Sequence, residues 1–322
     1  MMADVFTSAF CSTFRAVLQI FIVVFLSGVL VRRKIISQEQ VKALSAVTVV
    51  VLLPCMIFSS IIKQFEPSQL RIWPVIPLTA VAMIAFGLAV SAAFFIRELP
   101  EKKNMLALSG LQNAAYLILP VGSILFRDEF DKFELYCFLY ILGLSPLLWS
   151  VGKYLISSGA GAGKIKLSEL ITPPFVANVL GLMFVFTHTQ HFVPAVLRES
   201  IELVGSATVP VATLILGAGL GGISFRIRPY LFDMARVALV KMILIPAGTI
   251  VVLYFSGLNA AYPVLAGFFV LQASSAPATA AIIQVKHYGG DENKIGSIIL
   301  VMYILCILEM PFWVAVWKTT CL

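Results

Sequence analysis

Two stretches of this sequence place hydrogen-bonding side chains and a proline inside apolar runs long enough to cross a bilayer. The first carries Gln112, Asn113, Tyr116 and Pro120 within residues 105–126; the second carries Gln272, Ser274, Ser275, Pro277 and Thr279 within 261–285. A proline removes one backbone N–H and frees a carbonyl, and in hydrocarbon both defects need a partner. Such breaks persist where the backbone is buried in protein or lines a cavity. The bland alternative is a proline kink with Asn113 bonded to a neighbouring helix. Two interrupted helices at matching places in two halves point instead to a transporter's binding site. The half-helices that start near Pro120 and Pro277 would offer unpaired N–H groups and positive dipole ends to an anion such as a carboxylate. Gln112, Asn113, Gln272, Ser274, Ser275 and Thr279 would add neutral hydrogen bonds, and Tyr116 could stack on an unsaturated substrate. Neither stretch holds an Arg or Lys, which suits a site that releases its anion.

Two charges lie inside other apolar runs. Lys241 stands about two turns into its span, where it either snorkels to the interface or handles substrate or protons. Glu309 lies deeper, and an intramembrane carboxylate is a functional candidate by default. It could pair with Lys241, carry a coupling proton or face an outer vestibule. Chemistry of other kinds has little to stand on. His188, His191 and His287 form no metal motif, Asp128 and Asp131 belong to an acidic loop, and the five cysteines show no paired spacing. No metal, cofactor or enzymatic reaction is expected. Cysteines read as small buried residues.

The elements that must position these residues are membrane spans. The chain is 60% hydrophobic and 12% charged, with a mean hydropathy of +0.98, outside the range of soluble domains. Ten candidate spans run at about 10–31, 43–62, 72–96, 105–126, 135–156, 172–187, 201–223, 235–256, 261–285 and 295–317. The first is too long for a signal peptide and lacks a cleavage site. Net charge is +7, but the cations are scattered over short loops rather than gathered for nucleic acid. Fifteen lie after spans one, three, five, seven and nine, against seven on the other side. The positive-inside rule then leaves both termini outside the cytoplasm of a plasma or inner membrane. The segments Ser37–Gln40 and Arg97–Lys103 read as a polar turn and a solvated charged loop.

A duplication is legible as well. Pro54 and Pro210 are 156 residues apart, Pro120 and Pro277 are 157 apart, and Gln112 and Gln272 are 160 apart. Three pairs at nearly one offset predict an internal repeat. The boundary is the linker 157–171, which includes Ser157-Ser158-Gly159-Ala160-Gly161-Ala162-Gly163. Each half, 1–156 and 172–322, holds five spans, so the second enters the membrane inverted. The predicted fold is an all-α polytopic membrane protein of ten helices in two inverted five-helix repeats, with broken helices four and nine crossing at their prolines.

These residues resemble the auxin efflux carrier family, which includes the plant PIN-type auxin carriers and many bacterial permeases. The similarity runs from Gly28–Lys34 into Leu52-Leu53-Pro54, through Asn113 with a proline seven residues on, and through Lys241 with Pro246. It ends on Ala276-Pro277-Ala278 and Lys286-His287-Tyr288-Gly289-Gly290-Asp291, as in bacterial members. The resemblance implies a homodimer, a scaffold of spans one, two, six and seven, and a transport domain of spans three to five and eight to ten that moves like an elevator. It implies small carboxylates (malonate, malate, lactate) or an auxin-like acid as substrate, with Asn113 as the contact. The long cytoplasmic loop of the plant carriers is missing, and Glu309 departs from their pattern. The expected function is therefore secondary transport of organic anions. A sodium-coupled symporter like the bile-acid carriers, or a sensor that binds without transport, are the rival expectations.

Overall fold

Long apolar runs with charges held to their ends fold as helices, because a helix satisfies its own backbone where no water can. The computed structural model describes residues 2–157, 167–223 and 227–321. In chain order the main helices are α1 Met2–Arg32, α2 Gln38–Gln64, α3 Val75–Phe95, α4 Leu99–Gly110, α5 Ile118–Leu125 and α6 Arg127–Ile156. They continue as α7 Pro173–Phe186, α8 Ala195–Gly221, α9 Arg228–Ser256, α10 Pro263–Ala273, α11 Ala280–Tyr288 and α12 Glu292–Thr320. Seven of them (α1, α2, α3, α6, α8, α9 and α12) are long and apolar enough to cross a membrane. The protein is an all-helical membrane protein in which shorter helices complete the bundle.

Helices outrun the apolar runs that predict them, because their polar ends are capped. Ser37–Gln40 is the start of α2, not a free turn. Ser37 Oγ accepts from Gln40 N at 3.2 Å and Gln40 Oε1 accepts from Ser37 N at 2.8 Å, a reciprocal capping box. Asp291 caps α12 by accepting from Lys294 N at 2.9 Å. Most of the expected linker, residues 158–166 with Lys164 and Lys166, lies outside the described residues, as does Arg226.

The segment Arg97–Lys103 is not a solvated loop either. Leu99 begins α4, and Lys102 and Glu98 join an ion network with Asp233 and Arg236 of α9 and Lys294 of α12. Lys102 Nζ stands 2.9 Å from Asp233 Oδ1, Arg236 Nη2 2.6 Å from the same oxygen, and Lys294 Nζ 2.7 Å from Oδ2. Charges that a sequence shows in a loop meet here because the helix ends converge.

Close helix contacts use small residues. A Cβ on Gly221 of α8 would lie 2.4 Å from the Gly28 carbonyl oxygen of α1, and one on Gly217 would lie 2.1 Å from the Val24 oxygen. Only a Gly-xxx-Gly face lets two backbones approach this far. Prolines mark the irregular turns. Wide π turns occupy Thr48–Leu52, just before Pro54, Leu148–Gly152, just after Pro146, and Leu239–Leu244, just before Pro246. Pro246 cannot bond the Met242 carbonyl one turn back, and Trp313 Nε1 of α12 donates to it at 2.8 Å.

Candidate substrate site at the paired helix breaks

Both interrupted runs are broken in the structure, and the breaks meet. Residues 111–117 separate α4 from α5, and residues 274–279 separate α10 from α11. Gln112 and Pro277 form an isolated antiparallel bridge. Asn113 N donates to the Ala276 oxygen at 3.0 Å and Ala278 N donates to the Leu111 oxygen at 3.1 Å. The bonded groups flank Pro277, so the residue without an N–H occupies a position where the ladder asks for none. Each break thereby supplies the partner that the other's freed backbone needs in an apolar interior.

Pro120 takes no part in this pairing. It is buried in the first turn of α5, where an absent N–H breaks no helical bond. The expectation of open N–H groups at the start of that half-helix is largely overturned. Asn113 Oδ1 accepts from Leu117 N at 3.2 Å, while Leu119 N and Val121 N reach the Ala115 and Leu117 oxygens. The seven-residue spacing from Asn113 to Pro120 spans the whole break, so the asparagine caps the half-helix that the proline belongs to.

Four of the expected site residues face one space. Gln112, Asn113, Tyr116 and Thr279 line a cavity of about 180 Å³, bounded on the other side by Ser45, Val49 and Leu53 of α2 and by Thr172 and Pro174 at the start of α7. Asn113 is held from two directions: its Oδ1 by Leu117 N, and its Nδ2, which donates to Tyr303 Oη at 2.5 Å. An amide nitrogen has two hydrogens, so one remains for a ligand. Gln112 accepts from Tyr140 Oη at 2.8 Å, and its Nε2 is buried without a protein partner. Three amide hydrogens, two on Gln112 and one on Asn113, thus have no protein acceptor, and both residues border a neutral, partly enclosed space. That arrangement suits an oxyanion better than a cation.

The remaining expected residues serve the backbone. Gln272 Nε2 donates to the Asn113 oxygen at 3.3 Å. Ser274 Oγ donates to the Val270 oxygen and Ser275 Oγ to the Gln272 oxygen, both at 2.8 Å, so each spends its one hydrogen on the backbone. Lys241 does not snorkel. It lies at 0% exposure in the π turn of α9, and neither its Nζ nor either carboxylate oxygen of Glu309 has a protein hydrogen-bond partner. Cysteines are free, and Cys11 is exposed while Cys137 and Cys306 are buried against the breaks. Cys137 Sγ donates to the Ala114 oxygen at 2.9 Å and Cys306 Sγ to the Ser274 oxygen at 3.6 Å.

Tyr140, Tyr303, Cys137 and Cys306 are the residues that sequence reasoning missed. Tyr303, Cys306 and Glu309 recur every three residues on α12, a spacing that could have marked one face. A larger cavity of about 590 Å³ between α3 and α9 is lined by apolar residues and the hydroxyls of Thr79, Thr249 and Ser256. Its lining offers an anion no amide and no charge, unlike that of the smaller space.

Comparison with known proteins supplies the family. A family model described as membrane transport protein matches in two segments, residues 12–166 and 160–314, one for each half of the chain. Among curated relatives, an uncharacterized transporter of Methanocaldococcus jannaschii is 27% identical over 193 residues, covering 58% of this chain and 62% of that protein. Protein PIN-LIKES 7 of Arabidopsis thaliana is 26% identical over 160 residues, covering 46% of this chain and 40% of that protein. The matched regions therefore span less than two thirds of either relative's length. The two-segment match takes in nearly the whole bundle and both breaks, and this chain belongs to the membrane transport proteins of the auxin efflux carrier family.

Proposed function

We propose that the protein carries small organic anions, carboxylates in the first place, across a plasma or inner membrane by elevator-type alternating access. One observation carries the reading: two helix breaks pair backbone to backbone beside a cavity lined by Gln112 and Asn113, whose amide nitrogens keep hydrogens that no protein acceptor takes. In this reading α4 with α5 is the fourth span, α10 with α11 is the ninth, and α7 completes a set of ten in two inverted repeats. Asn113, Gln112, Tyr116 and Thr279 contact the substrate; Gln272, Ser274, Ser275, Pro120 and Pro277 shape the breaks. At about 180 Å³ the space falls below the roughly 300–1,000 Å³ of drug-sized pockets, which favours malonate- or lactate-sized acids over an indole acid.

The cavity lies between α2 and α7 on one side and the breaks on the other. That is the boundary between the scaffold of spans one, two, six and seven and the moving spans three to five and eight to ten. Ser45, Trp149 and Thr172 belong to helix ends near the cation-rich loops. With those loops in the cytoplasm and both termini outside it, the cavity is inward-facing. A homodimer through the scaffold would leave the other helices free to move. An inside-negative potential drives anions outward by about 2.3 kcal/mol per charge per 100 mV.

Reconstituted protein should give saturable currents or uptake with one of a panel of carboxylates. Charge-assisted hydrogen bonds contribute about 1.5–3 kcal/mol, so Asn113→Ala should weaken apparent affinity roughly 10- to 150-fold. Transport with unchanged affinity in that variant would remove Asn113 from the site.

A further inference from the structure

Beside the breaks lies a second polar site. Lys241 on the π turn of α9 and Glu309 on α12 attract each other electrostatically, yet neither has a protein hydrogen-bond partner and all three of their charged atoms are buried. Among the described residues, the titratable groups acting on Lys241 are Cys306 and Glu309, and the one acting on Glu309 is Lys241. Trp313, one turn past Glu309, bonds the Met242 carbonyl beside Lys241 and fixes α9 to α12 at this level. Two opposite charges buried together are tolerable when they touch and share hydrogen bonds. Here they do not touch, so burial is not offset, and the local charge is free to change.

We propose that Lys241 and Glu309 form a proton-binding site coupled to the anion at the breaks. The coupling rests on the crossing being the anion site. With Lys241 as ammonium and Glu309 as carboxylate the pair carries no net charge. Uptake of one proton from bulk water forms an O–H bond on the Glu309 carboxylate and leaves the pair with one positive charge. An anion in the neighbouring cavity favours that uptake, and the two cross together; on the far side the O–H bond breaks and the proton returns to water. Cancelling one negative charge removes the outward electrical drive on a monoanion and halves it on a dianion such as malonate, which favours uptake against the potential. The connection is physical. Along successive turns of α12, Tyr303 accepts the Asn113 amide, Cys306 donates to the Ser274 carbonyl in the second break, and Glu309 lies within electrostatic reach of Lys241.

The test uses the full chain in liposomes. Infrared difference spectra on switching from alkaline to acidic buffer, with no substrate present, should show a protonated-carboxyl band that is absent in Glu309→Gln. Uptake of radiolabelled malonate should rise several-fold under an inward proton gradient, and this stimulation should fall to none in the variant. Removing the carboxylate alone strands a buried ammonium and can prevent folding. The double variant Lys241→Gln/Glu309→Gln carries no charge and should behave the same way in both measurements. A missing band, a band that persists in these variants, or gradient stimulation that persists in them overturns the proposal. A wild type that shows the band but exchanges no malonate, or exchanges it equally well as Asn113→Ala, refutes the crossing as the malonate site and with it the coupling.

Discussion

In the proposed site, Asn113 would act through what holds it. Its carbonyl oxygen caps α5 at Leu117 N, and its amide nitrogen leans on the Tyr303 hydroxyl, so the one remaining N–H has a fixed direction. A hydrogen bond of this kind contributes a net 0.5–1.5 kcal/mol or so, and Tyr303→Phe should weaken apparent substrate affinity about 2- to 12-fold. Concentration dependence of transport currents measures this directly; an unchanged midpoint would show that Tyr303 only fills space. Tyr140→Phe should act similarly through Gln112, whose oxygen would lose its donor at zero exposure. The supporting tyrosines were not legible in the sequence, because a tyrosine in an apolar run looks the same whether it packs, anchors at an interface or holds an amide. Gln112, Asn113, Tyr116 and Thr279 were legible, since polar groups are costly at membrane depth and demand a reason. Ser274 and Ser275 lie off the small cavity's lining for a local cause: a serine just past a helix end can satisfy itself on a carbonyl three or four residues back.

At the scale of helices, prolines located the irregularities but not their form. Pro277 sits in its break, whereas the other break precedes Pro120 and is capped by Asn113, a difference that depends on which backbone groups the partner strand supplies. Pro54 and Pro246 each follow a wide turn rather than a kink, and the freed Met242 carbonyl finds a donor in Trp313. Trp313→Phe keeps the ring and removes the donor. It should cost about 1–3 kcal/mol by leaving that carbonyl unsatisfied, read as a lower unfolding temperature in detergent. An equal temperature would mean water already serves the carbonyl. The contact of α1 with α8 sets a stricter test, because a Cβ at Gly221 would meet the Gly28 backbone at 2.4 Å. Gly221→Val should destabilise by about 1–3 kcal/mol or more, the cost of overpacking, whereas the same change at Gly219, which has open space around it, should cost no more than its helix propensity does. That glycines pack helices was readable from spacing; which helix they meet was not.

At the scale of the whole molecule, an ion network ties together the ends of α3, α4, α9 and α12, and the proposed movement of the breaks as one body would need such a tie. Arg236 bonds both Glu98 and Asp233, and its guanidinium lies over the Phe95 and Phe232 rings at 4.1 and 4.4 Å. Hydrogen bonds from Arg236 and then Lys102 hold the Glu98 carboxyl below its ordinary value. A depressed folded-state value gives stability that is present above the unfolded carboxylate value and is lost as pH falls through the folded one. Glu98 is 38% exposed at its side chain, so the effect is small and screened by salt. Wild type should therefore unfold at a slightly higher temperature than Glu98→Gln at neutral pH and low salt. The gap should close as the buffer is acidified below the usual carboxylate range, and it should also narrow in high salt. A gap that stays constant with pH would mean that Glu98 contributes shape rather than charge. In that case the cohesion of these helix ends would rest on Asp233, which alone bonds Lys102, Arg236 and Lys294 together.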